Sequence, residues 1–312
     1  MAYRHVPAMP AEVLHYLNCR AGGIYVDGTL GGCGHARAIC DRMLPAGLLI
    51  GIDQDNDAVE HGRTALKAYA DNVRLIHGNF VRLPEFLSEL AIPAVDGILL
   101  DLGLAQHHLE DSGRGFSFNK DEPLDMRMNV EAKTTAAHIV NNWHVDDLTR
   151  IFRDYGEERR ARKIAKAIVQ ARSQRLMASS KELGELVYRC TPPAEARKQK
   201  IHPATRVFQA LRIAVNCELD RLQRTLPRAV ACLNPGGRLC VLSFHSLEDR
   251  IVKQTFREMA RDCNCPPKAP VCTCGGKAQV KLLTRRVVRP STEEVAANPM
   301  ARSTRLRAVE KR

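Results

Sequence analysis

Four short runs rich in Ile, Leu and Val punctuate the first hundred or so residues, and acids or glycines close each of them. They are "GIYVDGTLGG", stopping at Asp27; "GLLIGIDQD", stopping at Asp53; "NVRLIHGNF"; and "VDGILLDLGL", stopping at Asp101. Segments of helical periodicity separate them. Continuous apolar runs of this kind belong to strands buried on both faces, and helices between them make the strands parallel. A chain patterned this way folds as an α/β sheet whose loops gather beyond the strand carboxyl ends.

The rhythm then stops. "LEDSGRGFSFNKDEPLDMRMN" carries Gly, Asp and Phe without periodicity, and "TTAAHIVNNWHVDDLTRIFRDYG" and "EERRARKIAKAIVQARSQ" are amphipathic. In the last of these Ala161, Ile164, Ala165, Ile168 and Val169 share one face, with Arg and Lys on the other. "SKELGELVYRC" is a short helix. "HPATRVFQALRIAVNCELDRLQRTL" reads as one long helix, with Pro203 in its first turn and Val207, Leu211, Ala214, Val215, Leu219 and Leu222 as its stripe. Strand character returns with "GGRLCVLSFHS", after which Ser246 and Asp249 offer a capping box for "LEDRIVKQTF". The expectation is an α/β core over residues 1–104 and 201–312, interrupted by a helical insertion at 105–200.

Charge follows the same division. Residues 1–149 carry −8, residues 150–230 carry +11, residues 231–274 carry +2 and residues 275–312 carry +7. An acidic front and a basic back suit a part that handles a small ligand and a part that meets a polyanion. A hydrophobic content of 45% with 26% charged residues is that of a globular protein, and no apolar run approaches the length of a membrane span. The opening "MAYRHVPAMPAEVLHYL" lacks the layout of a signal peptide, so the expected location is cytoplasmic.

Which ligand the glycine loop holds is decided by its acids. No Gly-Lys-Ser/Thr follows, which excludes a Walker phosphate loop; after Gly32 and Gly34 the third glycine of a dinucleotide fingerprint is replaced by Arg37. Asp27, Asp53 and Asp101 end three strands, and in an open α/β sheet they meet in the crevice beyond the strand ends. Asp53 stands where a carboxylate receives ribose hydroxyls, whereas a pyrophosphate would be repelled by so many acids. A ligand with a ribose, an amine and a sulfonium fits: S-adenosyl-L-methionine.

The motifs "YVDGTLGGCGHA", "GIDQD", "VDGILLDLGL", "RGFSFNKDEPLDMRM", "YGEERRARKIAKAIV", "HPATRVFQALRIAVNCEL", "GGRLCVLSFHSLEDRIVK" and "NPMARSTRLR" together resemble the bacterial RsmH (MraW) family, over almost the whole chain. The resemblance implies a class I S-adenosylmethionine-dependent methyltransferase (Rossmann-like) core with an inserted α-helical substrate-recognition domain. It implies methylation of N4 of a cytidine in small-subunit (16S) ribosomal RNA, with the small ribosomal subunit as partner, and neither membrane nor DNA. It further implies cofactor contacts at Cys33, Gly34, His35, Asp53, Phe80, Asp101 and His108, with Phe80 flanking the adenine. Two positions depart from the family pattern. Cys33 replaces a glycine of G-x-G-G-H, putting a side chain where the backbone approaches the ligand. Ala105, Gln106, His107 and His108 replace Ser-Ser-Pro-Gln, so the contact of an amide falls on an imidazole.

The cytosine amino group is a poor nucleophile, and an acceptor for its N–H bonds is needed; Asp101 is the candidate catalytic residue, beside a purely cofactor-side role. Phe116, Phe118 and Phe244 are candidates to hold the base, against ordinary core packing, and His245 and Ser246 follow a strand end beside them. Arg159, Arg160, Lys163 and Lys166 would track phosphates. Cys263, Cys265, Cys272 and Cys274 form two C-x-C pairs, compatible with a thiolate zinc site, reduced thiols or a redox pair; no metal ligand is assigned. Two other functions stay open on sequence: a non-catalytic, cofactor-sensing ribosome assembly factor, and a methyltransferase for a protein or small molecule. Oligomeric state is left open.

Overall fold

The computed structural model describes residues 6–104, 106–198, 201–263, 265 and 276–312. Among these, seven strands form one sheet: β1 Ile24–Asp27, β2 Leu48–Asp53, β3 Val73–His77, β4 Val95–Asp101, β5 Leu233–Ser243, β6 Val280–Leu282 and β7 Arg305–Lys311. Their order is β3-β2-β1-β4-β5-β7-β6. The first five run parallel, and β7 lies antiparallel between β5 and β6. The chain winds outward from β1 to β3 and then crosses back to β4, so the order reverses at the β1/β4 boundary. Ligands of open α/β sheets bind at such a reversal.

Period-two alternation explains why the strands read as continuous apolar runs. Val26, Ile50, Ile52, Ile98, Leu100, Leu239 and Val241 point to one face, where Leu83, Phe86 and Leu87, Leu222 and Leu226, and Val252 and Phe256 cover them from three helices. Tyr25, Leu49, Leu99, Cys240 and Leu242 point to the other, under Val13 and Leu17 and under Ala36, Ile39, Cys40 and Met43. With both faces sealed, the exposed functional groups concentrate in the loops at the strand ends.

The chain divides into two compact units, Met1–Gly103 with Leu219–Arg312, and Leu104–Glu218. The second ends at Glu218, 18 residues past the end expected at 200, where the helix expected as one element is two. Ala204–Asn216 ends at Cys217, held in the left-handed region at φ 50°, and Glu218–Ala231 is a separate helix. Ala204, Val207, Phe208 and Leu211 belong to the core of the second unit, with Ile139, Phe152, Ile164, Ile168 and Leu183.

The stretch from 111 to 135 is irregular yet braced. The buried Arg114 guanidinium donates to the carbonyls of Arg127 and Met128 at 3.0 and 2.9 Å. Asn216 accepts from Met128 N–H and donates to Met126 O, each at 2.9 Å, pinning a turn in which Met126 adopts φ 58°. The "RGFSF…DMRM" motif is therefore tied to the far end of the Ala204–Asn216 helix.

Candidate functional site

The carboxyl ends of β1, β2 and β4 carry Asp27, Asp53 and Asp101, as the strand-end pattern predicts. Thr29 joins two of them. Its N–H donates to Asp27 Oδ1 at 3.2 Å and its hydroxyl accepts from the Asp101 N–H at 2.7 Å. Asp53 shapes the glycine loop: one carboxylate oxygen accepts from Gly31 N–H and the other from Asp55 N–H, both at 2.9 Å. Phe80, in the turn after β3, packs against Gly28, the residue that follows β1.

His35 and Asp101 form the buried centre. His35 Nε2 lies 3.5 Å from Asp101 Oδ2, and Asp101 Oδ1 is buried with no hydrogen-bond partner. A buried carboxylate oxygen without a donor is costly and marks a position for an incoming one. Burial lifts the Asp27 carboxyl to about 7; His35 and the Thr29 N–H pull it down, while Asp101 and Asp53 push it further up. Burial opposes protonation of His35, but the Asp101, Asp27 and Glu294 carboxylates outweigh it and raise its proton affinity.

Two of the loop residues expected to touch a ligand, Cys33 and Gly34, are set by packing inside the protein. Cys33 caps the Gly34–Met43 helix at φ 62°, where glycine is the unstrained choice, but its side chain turns into the apolar core, fully buried beside Met9, Val13 and Leu30. At Gly34 a Cβ would stand 2.7 Å from the Pro7 ring. The close approach that demands glycine there is made by the N-terminal segment. That segment is held by Asn298, which donates to Val6 O at 3.1 Å, and by Glu294, which accepts from Met9 N–H. Thr29, Glu294 and Asn298 hold the strand end and the N-terminal segment in place, contacts that sequence patterning missed; a hydroxyl two residues after the strand-end acid in "DGT" was the one available signal.

His108 lies in the second unit, on the short helix Gln106–Glu110, buried with its ring 5.1 Å from that of Phe116. Phe116 is itself a core residue, so it is not a base platform. Phe118 is half-buried and stacks on His202 instead. Phe244 follows β5 and lays its ring over Gly103, just past Asp101. The expected Ser246–Asp249 capping box is formed one residue earlier: His245 Nδ1 accepts from Glu248 N–H, and Glu248 accepts from the N–H groups of Phe244 and His245. Of the basic residues expected to track phosphates, Arg160 is paired with Glu195 and Lys163 donates to Cys190 O, while Arg159 and Lys166 are exposed. Cys272 and Cys274 lie outside the described residues.

A parallel sheet with this strand order, an antiparallel seventh strand and acids at its reversal point is the architecture of class I methyltransferases. Comparison with known proteins narrows the class. The chain matches the MraW methylase family over residues 2–312 and belongs to it. It is 51% identical over 311 residues, covering 100% of both chains, to a protein of Desulfosudis oleivorans named ribosomal RNA small subunit methyltransferase H. Proteins of the same name from Syntrophotalea carbinolica and Geobacter sulfurreducens are each 50% identical, over 98% and 100% of both chains. No described helix is long and apolar enough to cross a membrane.

Proposed function

We propose that this protein is a cytoplasmic enzyme that methylates N4 of a cytidine in small-subunit (16S) ribosomal RNA, using S-adenosyl-L-methionine. The observation that carries the reading is the acid-lined reversal point of the sheet, in a chain half identical to proteins named ribosomal RNA small subunit methyltransferase H. The residues present fit the cofactor. Asp53 places a carboxylate at the end of β2 for the ribose, Phe80 an apolar side chain beside Gly28, and the loop from Gly31 to Gly34 backbone groups. Bound there, S-adenosyl-L-methionine supplies an electrophilic methyl on a sulfonium, and positioning carries much of the rate.

The unpartnered Oδ1 of Asp101 is the acceptor for an N–H of the cytosine amino group, which localises the nitrogen lone pair. Phe244 supplies the face against which the extruded base rests. His35 positions Asp101 from behind. Residues 104–218, which carry 20 basic and 15 acidic side chains, serve substrate recognition. Asp101→Ala should abolish methyl transfer to small ribosomal subunits while leaving particle binding intact. Transfer by the variant at the wild-type rate would remove Asp101 from the chemistry.

A further inference from the structure

Helix Ser180–Cys190 carries a glycine at its centre, although glycine weakens a helix interior. A Cβ on Gly184 would stand 2.9 Å from the Phe118 Cβ, so the position is kept empty for Phe118 to lie on the helix. Phe118 in turn starts a ladder of three rings. Its centroid is 4.5 Å from that of His202 with planes at 19°, and His202 is 5.7 Å from Tyr188 with planes at 18°. The far side of Phe118 is buttressed edge-on by Phe208 at 5.3 Å. His202 is held in register because its Nδ1 accepts from Ala204 N–H at 3.2 Å, and burial lowers its proton affinity, favouring a neutral ring.

The ladder ends in the open. Tyr188 is 49% exposed, on the rim of a groove of about 460 Å³. Lys181 and Arg189 stand on that rim, exposed, with Glu185 between them along the helix. An exposed aromatic face, pre-stacked rings beneath it and cations eight positions apart along the helix match a base with its flanking phosphates. A lone acid between them fits the same occupant, since it accepts from an amino group at a base edge.

We infer that this groove is a second RNA-contact subsite, in which an unpaired nucleotide of the substrate stacks on the Phe118–His202–Tyr188 ladder while Lys181 and Arg189 hold its phosphates. The inference rests on the ribosomal RNA reading above and places a specific contact within the second unit. Stacking is sequence-tolerant and gives affinity, while Glu185 disfavours a base with no amino donor facing it.

The test uses the full chain, a fluorescent single-stranded oligoribocytidine as probe, and methyl transfer to small ribosomal subunits as a parallel readout. Tyr188→Ala should weaken probe binding about tenfold and raise KM for the subunit with kcat unchanged, whereas Tyr188→Phe should match wild type. The double variant Lys181→Gln/Arg189→Gln should lower the slope of log affinity against log salt by about 1.4, the loss of two single-strand phosphate contacts. Unfolding midpoints verify that the variants are folded. Wild-type affinity and KM in Tyr188→Ala, with methyl transfer intact, would overturn the subsite alone. Equal weakening by Tyr188→Ala and Tyr188→Phe would replace stacking with a hydroxyl contact and overturn it too. A wild-type chain that neither binds the probe nor methylates subunits would overturn the ribosomal RNA reading first.

Discussion

Asp27 and His35 give the site a pH dependence whose sign is fixed by their shifts. The Asp27 carboxyl titrates at about 7 in the folded chain against 3.8 ordinarily, so the folded state holds this proton more tightly. Its contribution to stability is complete below about pH 4 and is lost as pH rises through about 7. His35, raised from 6.5, acts in the same direction at higher pH. Denaturant unfolding of wild type should therefore lose no more than about 4 kcal/mol from Asp27 between pH 4 and 7, and Asp27→Asn should flatten that fall. A variant with the wild-type slope would show that Asp27 is ionised throughout. At Cys33, substitution by Val should destabilise by about 1–2 kcal/mol, because a branched side chain is poorly tolerated at φ 62°; unchanged unfolding would mean the loop relaxes. Asp53 and Asp101 were legible in the sequence because each closes an apolar run. Thr29 and Glu294 were not, since their roles arise from residues 72 and 285 positions away: Thr29 Oγ1 receives the Asp101 N–H, and Glu294 the N–H of Met9.

At the level of elements, two polar side chains hold junctions that periodicity cannot reveal. Glu248 is buried and accepts the N–H groups of Phe244 and His245 at the start of helix Ser246–Met259. Glu248→Ala should cost about 1–2 kcal/mol of stability, read by chemical denaturation, and should perturb Phe244, the proposed base platform. Asn216→Leu should cost about 2–5 kcal/mol, because it strips Met128 N–H and Met126 O of their partner inside the second unit. The break at Cys217 was hidden for a plain reason. Ala214 and Val215 before it and Leu219 and Leu222 after it keep one 3.6-residue stripe, and nothing in the sequence marks a left-handed residue that is not glycine. The Ser246 capping box failed more narrowly: a histidine caps the helix where Ser was the favoured residue, moving the box by one position.

For the whole molecule, the α/β layering and the helical interruption were legible because sealed faces force continuous apolar runs and amphipathic helices force stripes. The pairing of β7 between β5 and β6 was not, since antiparallel return of a terminal strand leaves no local signature. The proposed RNA substrate would meet the basic back of the chain. The affinity of the wild-type chain for small-subunit RNA should fall steeply with added salt, on a log-log line whose slope counts phosphates. The measurement that tests the account most directly offers labelled S-adenosyl-L-methionine with small ribosomal subunits, free ribosomal RNA, tRNA and bulk protein in parallel, and resolves the nucleosides afterwards. Label in N4-methylcytidine (or its 2′-O-methylated form) from the small subunit, lost in Asp101→Ala, is the predicted result. Label only in protein or tRNA, or bound cofactor with no label transferred to any substrate, would contradict it.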